Sequence, residues 1–170
     1  TAAQSATHEN DGDDSDDSIA GRTLVEFCTS DASKMGERAP GDCKVVRLTL
    51  VEDMTTEEGV ETAKRYITDA GGAFLLGSLP CTAGTPWNSV NELKPGGKAR
   101  IRAHRRLLKK LIGNFRECAL LNKSLGGMCG FEWPKDCSLW KERAVANLRR
   151  DICLIDVVFD GCSLGLVSHH

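Results

Sequence analysis

The sequence predicts an α/β fold with an open, mostly parallel sheet and helices on both faces. Short apolar runs alternate along the chain with longer segments whose apolar residues recur at helical spacing, which is typical of strand–helix–strand units. The apolar run at 73–79 is continuous rather than alternating, as expected for a strand that is buried on both sides of a parallel sheet. Glycine pairs at 71–72 and 126–127 separate helical segments from the strands that follow.

These patterns predict five strands and three main helices. The strands cover residues 23–28, 44–51, 73–79, 128–131 and 152–159. The helices cover residues 57–69, 98–122 and 138–149. Thr55 or Thr56 is placed to cap the first of them, and Glu57, Glu58 and Glu61 lie near its positive end.

Charge is distributed unevenly over the 170 residues. Residues 1–18 contain six carboxylates and no Lys or Arg, whereas the remaining chain has 22 basic and 18 acidic residues, a net charge of +4. We therefore predict a disordered acidic tail at 1–20 and a single folded domain at 21–168. The tail is either a solvated segment or a pseudo-substrate that covers a basic groove. No apolar run is long enough to span a membrane.

The chain has eight cysteines but no Cys-x-x-Cys pair, so a structural zinc site is not predicted and no metal ligands are assigned. Cys28, Cys129 and Cys153 fall within apolar runs, where a free cysteine behaves as a small hydrophobic residue. This pattern favours free thiols and a reducing intracellular compartment, cytoplasmic or nuclear.

Two strand ends carry residues suited to nucleophilic chemistry. The predicted strand at 73–79 runs into Pro80-Cys81, and the one at 128–131 runs into Glu132-Trp133-Pro134. In a parallel sheet the carboxyl ends of all strands meet at one edge, where ligands bind. Cys81 there is a candidate nucleophile, and partial burial would let Glu132 donate a proton at neutral pH. The alternatives are a plain loop cysteine and a glutamate paired with Lys or Arg.

The longest predicted helix is strongly basic on its polar side. Between residues 98 and 116 it has eight Lys and Arg residues and no acidic residue. Such a surface binds phosphates with strong salt dependence, and Trp87 in the preceding loop offers a ring on which a base can stack. We assign Arg102, Arg105, Arg106 and Lys109 to a candidate nucleic-acid surface; the alternative is a solvated helix face.

In its order of motifs the chain resembles the catalytic core of cytosine-C5 methyltransferases, which belong to the S-adenosylmethionine-binding Rossmann-like folds. Pro80-Cys81 resembles the nucleophile motif of that family, and Glu132 its catalytic glutamate. Phe27 and Asp53 match the aromatic and acidic residues that contact the cofactor, and Asp31 follows the same strand as Phe27. The resemblance implies methyl transfer from S-adenosylmethionine to a nucleobase, with Cys81 adding to the ring.

The chain also departs from that family in three places. The glycine-rich cofactor loop is replaced by Cys28-Thr29-Ser30-Asp31, the asparagine after the glutamate is Trp133, and no Gln-x-Arg-x-Arg motif follows the last predicted strand. The Pro-Cys-Thr and Glu-Trp-Pro motifs also resemble domains of retroelement-type polyproteins. An inactive nucleic-acid-binding or assembly module of such a polyprotein is therefore the alternative function. A cysteine hydrolase is a third option, for which His104 is the only histidine between the terminal segments.

Overall fold

A four-stranded sheet forms the centre of the molecule. The computed structural model describes residues 22–160. The strands are β1 (Thr23–Phe27), β2 (Lys44–Leu48), β3 (Phe74–Gly77) and β4 (Met128–Phe131). Their order across the sheet is β2-β1-β3-β4, and every pairing is parallel. The predicted α/β class with an open parallel sheet is confirmed, and the sheet is consistent with a Rossmann-like fold.

Five α-helices surround this sheet in the described part of the chain. They are α1 (Lys34–Glu37), α2 (Glu57–Asp69), α3 (Asn88–Asn91), α4 (Gly97–Ser124) and α5 (Arg143–Asp151), together with 3-10 turns at Thr82–Gly84 and Ser138–Lys141. The bounds predicted for α2 are confirmed, and the Thr56 hydroxyl caps it by accepting a 3.0 Å hydrogen bond from the Gly59 amide. None of the described helices is long and apolar enough to cross a membrane.

The two long helices pack against the same face of the sheet. Phe27 points to this face, and its ring meets the Phe115 ring of α4 edge-on with 5.3 Å between centroids. Gly77 on β3 makes this approach possible, because a Cβ there would lie 2.9 Å from the Phe115 ring. The buried side chains of α2 and α4 complete one continuous hydrophobic core with β1, β2 and β3.

The opposite face is covered by the short helix α1. Glu26 alternates with Val25 and Phe27 and therefore points to this face, where its side chain is only 1 % exposed. Gly36 of α1 lies directly above it, since a Cβ at Gly36 would approach the Glu26 carboxylate to 2.8 Å. Helices thus lie on both faces, but this second layer is thin.

The predicted fifth strand at 152–159 is wrong. Ile152 and Cys153 end α5 as a turn, and residues 154–160 form no strand with any other described residue. Cys153 has a left-handed backbone with φ of 57°, and the Leu154 amide donates to the Arg149 carbonyl, which closes the helix and redirects the chain. The apolar side chains beyond it remain mostly exposed, from 59 % for Phe159 to 86 % for Ile155.

Other predicted bounds change locally. The helix predicted at 138–149 is divided into the second 3-10 turn and α5, because Glu142 between them has an extended backbone. The strand predicted at 44–51 ends at Leu48, where the Glu52 carboxylate accepts a 2.6 Å hydrogen bond from the Thr49 amide and forms a turn. The predicted acidic tail at 1–20 lies outside the described residues.

Candidate functional site

Three hydrogen bonds connect the loops that follow the strands, all at the carboxyl edge of the sheet. The Thr29 amide donates to the Leu48 carbonyl at 3.1 Å, and the Ser78 amide donates to the Phe27 carbonyl at 2.9 Å. The Trp133 indole donates to the Leu79 carbonyl at 2.7 Å. These bonds join the loops in the same order as the strands, so the sequence-predicted residues lie along one edge.

Cys81 follows β3 and begins the turn Thr82–Gly84. Its thiol is half-buried against the core on the α4 side. Gly84 in the same turn packs tightly on Cys137, because a Cβ at Gly84 would lie 2.6 Å from the Cys137 sulfur. Burial raises the pKa of Cys137, and the neighbouring Cys81 adds to this effect. Pro80, before Cys81, is exposed.

Glu132 follows β4 and is exposed, so the partial burial that its role as a proton donor requires is not present. It lines an open cavity of about 670 Å³ together with Phe74 and Gly130. Phe74 and Gly130 alternate with the residues that face α4, which places Glu132 on the other side of the sheet from Cys81. No hydrogen bond within residues 22–160 joins Cys81 to Glu132. The structure does not bring the two predicted catalytic side chains together.

Aromatic rings form one wall of this cavity. Trp133 is buried and lies 4.7 Å from Phe131 and 5.2 Å from Trp140, measured between ring centroids. The exposed residues Ile155 to Phe159 form the opposite wall. The cavity therefore runs along the outer edge of β4, with Glu132 at its polar end.

The predicted cofactor residues lie in different surroundings. Phe27 is fully buried against Phe115, so its ring belongs to the core. Asp31 is exposed in the loop after β1. Asp53 is exposed after β2, and hydrogen bonds from the Thr55 hydroxyl and amide lower its pKa. The Asp53 carboxylate thus stabilises the turn that leads into α2.

Two residues at this edge have left-handed backbones although neither is glycine. Cys28 has φ of 61° and Asp53 has φ of 40°. Such conformations are costly and concentrate where the local geometry serves a purpose. Burial raises the pKa of Cys28 to about 12, with Asp53 adding to the effect, so this thiol stays protonated at neutral pH.

The basic half of α4, residues 97–110, forms one wall of a groove. The groove has a volume of about 530 Å³, and the 3-10 turn Ser138–Lys141 and α5 form its other wall. Its apolar floor includes Leu108, Ile112 and Leu139. Four cationic side chains line it, namely Arg105, Arg106, Lys109 and Arg143, against one carboxylate, Glu142.

The cations of this half have no ion-pair partner among the described residues. The paired basic residue on α4 is Arg116, further along the helix, whose guanidinium lies 2.6 Å from Asp151. Arg102 is exposed beside the groove. Trp87 is 73 % exposed before α3, in the connection that leads to α4. The structure therefore brings together the predicted nucleic-acid residues Arg105, Arg106 and Lys109 in one concave surface.

The sequence analysis missed a buried charged pair on the α1 side of the sheet. Arg47 Nε lies 3.3 Å from Glu26 Oε2, and the Ser33 hydroxyl donates to the other Glu26 oxygen. The Arg47 and Glu26 atoms are not aligned for a hydrogen bond, so both lack one among the described residues. The parallel register that sets Glu26 beside Arg47 is the signal that could have revealed the pair.

Metal ligands do not cluster in the part of the chain that the structure describes: no group of three or more His, Cys, Asp or Glu side chains is arranged to hold an ion there. Comparisons of the chain with protein-family models, with curated proteins and with solved structures find no match.

Proposed function

We propose that this domain binds single-stranded nucleic acid in the groove between the basic half of α4 and α5. The observation that carries the proposal is the set of cations along one wall of the groove that have no ion-pair partner within residues 22–160. Cations without ion-pair partners are available to phosphates at no cost from broken salt bridges.

An exposed aromatic ring favours single strands over duplex. Trp87, in the connection to α4, is 73 % exposed and can stack on an unstacked base, whereas a duplex keeps its base faces inside its own stack. The proposed complex combines phosphate contacts to Arg105, Arg106 and Lys109 with apolar contacts to bases.

The test compares two triple variants of equal charge change. The groove variant carries Arg105→Gln, Arg106→Gln and Lys109→Gln. The control variant carries Lys34→Gln, Arg38→Gln and Lys44→Gln, which are exposed residues outside the groove. Binding of a labelled single strand of about 20 nucleotides is followed by fluorescence anisotropy over a range of salt concentrations.

Counterion release predicts the size of the effect. Each phosphate contact contributes about 0.7 to the slope of log K against log salt for single strands, so losing three contacts reduces the slope by about 2. The groove variant should bind about 10- to 100-fold more weakly at 0.1 M salt. The control should change affinity less than about threefold. Equal losses in the two variants would show that net charge, not the groove, determines binding.

A second candidate is the methyltransferase-type activity that the sequence resemblance implies. The observation in its favour is the strand order. The chain goes from β1 to β2, which is its neighbour on one side, and then crosses back to β3, which is the neighbour of β1 on the other side. Such a switch point is where open α/β sheets bind ligands, and the loops of Cys28 and Cys81 flank it. S-adenosylmethionine would bind there, near Asp31 and Asp53.

Calorimetric titration of the full chain with S-adenosylmethionine and S-adenosylhomocysteine tests this candidate. Micromolar binding that weakens on Asp53→Ala, but not on Glu37→Ala, supports it. Absence of heat at millimolar ligand rules out a cofactor site of useful affinity. Because neither Asp31 nor Asp53 lines the groove, the two tests change different residues and can be interpreted separately.

A further inference from the structure

We infer that the acidic N-terminal segment, residues 9–17, docks in the same basic groove and competes with nucleic acid for it. The inference rests on the proposed function for the competition, whereas the contact itself stands on charge and reach alone. The segment contains Glu9 and five aspartates at positions 11, 13, 14, 16 and 17.

Charge complementarity identifies the occupant. The segment carries six negative charges over nine residues and no basic residue. The groove wall presents Arg105, Arg106 and Lys109 without ion-pair partners in residues 22–160, and Arg102 and Arg143 lie next to them. Attraction of this kind between exposed charges acts over roughly 10 Å at 0.1 M salt. We therefore expect the acidic segment of the same chain to compete with nucleic-acid phosphates for these cations.

The length of the intervening chain permits the contact. The described chain begins at Arg22, whose carbonyl accepts a hydrogen bond from Lys44 at the amino edge of the sheet. The carboxyl end of α4 leads to β4 at that edge, so Arg105 and Lys109 lie about 20–30 Å from it along the helix. Residues 9–17 can reach about 15–45 Å from Arg22 when extended. The acidic segment therefore reaches the cations of the groove.

Tethering makes even a weak contact effective. A segment tethered to the domain has an effective concentration in the millimolar range at a site it can reach. A docked segment with millimolar intrinsic affinity would thus occupy a large share of the grooves. A nucleic-acid strand with more phosphates than the segment has carboxylates would displace it. The segment would therefore raise the concentration of nucleic acid that is needed for binding.

Carbodiimide cross-linking of the full chain tests the contact without any nucleic acid. The reagent activates a carboxylate, the lysine amine attacks it, an amide forms, and the carbodiimide leaves as a urea. We expect amides between residues 9–17 and Lys109, detected by mass spectrometry. Lys44 is the control, because it is exposed and lies beside the start of the described chain. Simple proximity predicts amides at Lys44, whereas docking predicts them at Lys109.

Two further conditions determine the interpretation. Arg105→Gln with Arg106→Gln, which keeps Lys109, should reduce the Lys109 amide at least about threefold, as should 0.5 M salt. A Lys44 amide as abundant as that of Lys109, or a Lys109 amide that neither change affects, would overturn the docking.

Competition is measured on a full chain whose six tail carboxylates are replaced by Gln or Asn. This chain should bind the labelled single strand about tenfold more tightly than the native chain, and the gain should disappear when Arg105→Gln and Arg106→Gln are added. An equal gain with and without those substitutions contradicts competition in the groove. Cross-links to Lys109 with no nucleic-acid binding by either chain would refute the proposed function and retain the contact.

Discussion

The two halves of α4 have opposite surroundings although they form one continuous helix. The basic half, residues 97–110, buries Ile101 and Leu108 and presents seven cations to solvent. The second half, residues 111–124, buries six side chains and places Phe115 at the centre of the core. The contrast shows that a helix can be anchored in the core at one end and present, at the other, a solvated row of cations that form no ion pair with the described residues.

The largest expected effect is a loss of stability on substitution of a buried residue in the second half of α4. Phe115→Ala should lower the free energy of unfolding by about 3–5 kcal/mol, because the ring is fully buried between Phe27 and Phe131 and its loss leaves a cavity. Chemical denaturation measures it. Leu107→Ala in the basic half, where the side chain is 44 % exposed, is the matched control and should cost less than about 0.5 kcal/mol. Similar losses for both would contradict the contrast between the halves.

Asn122 is expected to give the next largest effect. Its buried amide accepts a 2.8 Å hydrogen bond from the Ala73 amide and donates to the carbonyls of Ala73 and Met128. Asn122→Ala removes this partner from the Ala73 amide and the Met128 carbonyl, whereas the Ala73 carbonyl keeps its bond from the Met128 amide. The substitution should cost about 2–3 kcal/mol. Asn114→Ala, which removes one bond to the Met54 carbonyl, should cost about 1 kcal/mol. Urea unfolding curves that coincide for the two variants would disprove this role of Asn122.

A smaller effect is expected on the stability of the fold at alkaline pH. Burial raises the pKa of the Cys118 thiol from 9.0 to about 12, so the fold favours the protonated form. The stabilisation this gives is complete below pH 9 and is lost as the pH rises from 9 towards 12. Melting temperatures measured between pH 8 and 11 under reducing conditions should fall less steeply for Cys118→Ala than for the native chain. Leu107→Ala, which removes no titratable group, is the control and should leave the slope unchanged.

The smallest change in stability is expected for the basic half. The groove variant with Arg105→Gln, Arg106→Gln and Lys109→Gln should unfold within about 0.5 kcal/mol of the native chain, because the three side chains are exposed and make no ion pair with described residues. Measuring both the melting temperature and the nucleic-acid affinity of this variant separates a role of the three cations in stability from a role in binding. A large loss of stability would show that these cations support the fold.

Sequence patterns predicted the elements that depend on local signals. The bounds of α2 follow from the Thr56 cap and the glycine pair that ends it, and β4 follows from a short apolar run. The strand predicted at 152–159 failed because apolar residues reveal a preference for strand conformation but not whether the segment comes close enough to a sheet edge to pair with it. The left-handed turn at Cys153 has no signal in residue type.

The candidate site was predicted only in part, for a related reason. The carboxyl edge of the sheet follows from the parallel topology, and the basic groove follows from the density of cations on α4. Whether the Cys81 and Glu132 side chains meet depends on the face of the sheet to which each one points after its strand ends. Alternation along a strand is regular, but Pro80 and the 3-10 turn after Cys81 interrupt it. Sequence patterns therefore did not fix the relative direction of the two side chains.

The contact between Gly77 and Phe115 restricts how this sequence can diverge. A side chain at position 77 would enter the space of the Phe115 and Phe131 rings, at 2.9 and 3.1 Å. In diverged copies of this domain, a residue larger than glycine at position 77 is therefore expected only together with a smaller residue at position 115. The two positions lie on different elements and far apart in the chain, so their joint variation among relatives would record the packing of α4 on the sheet.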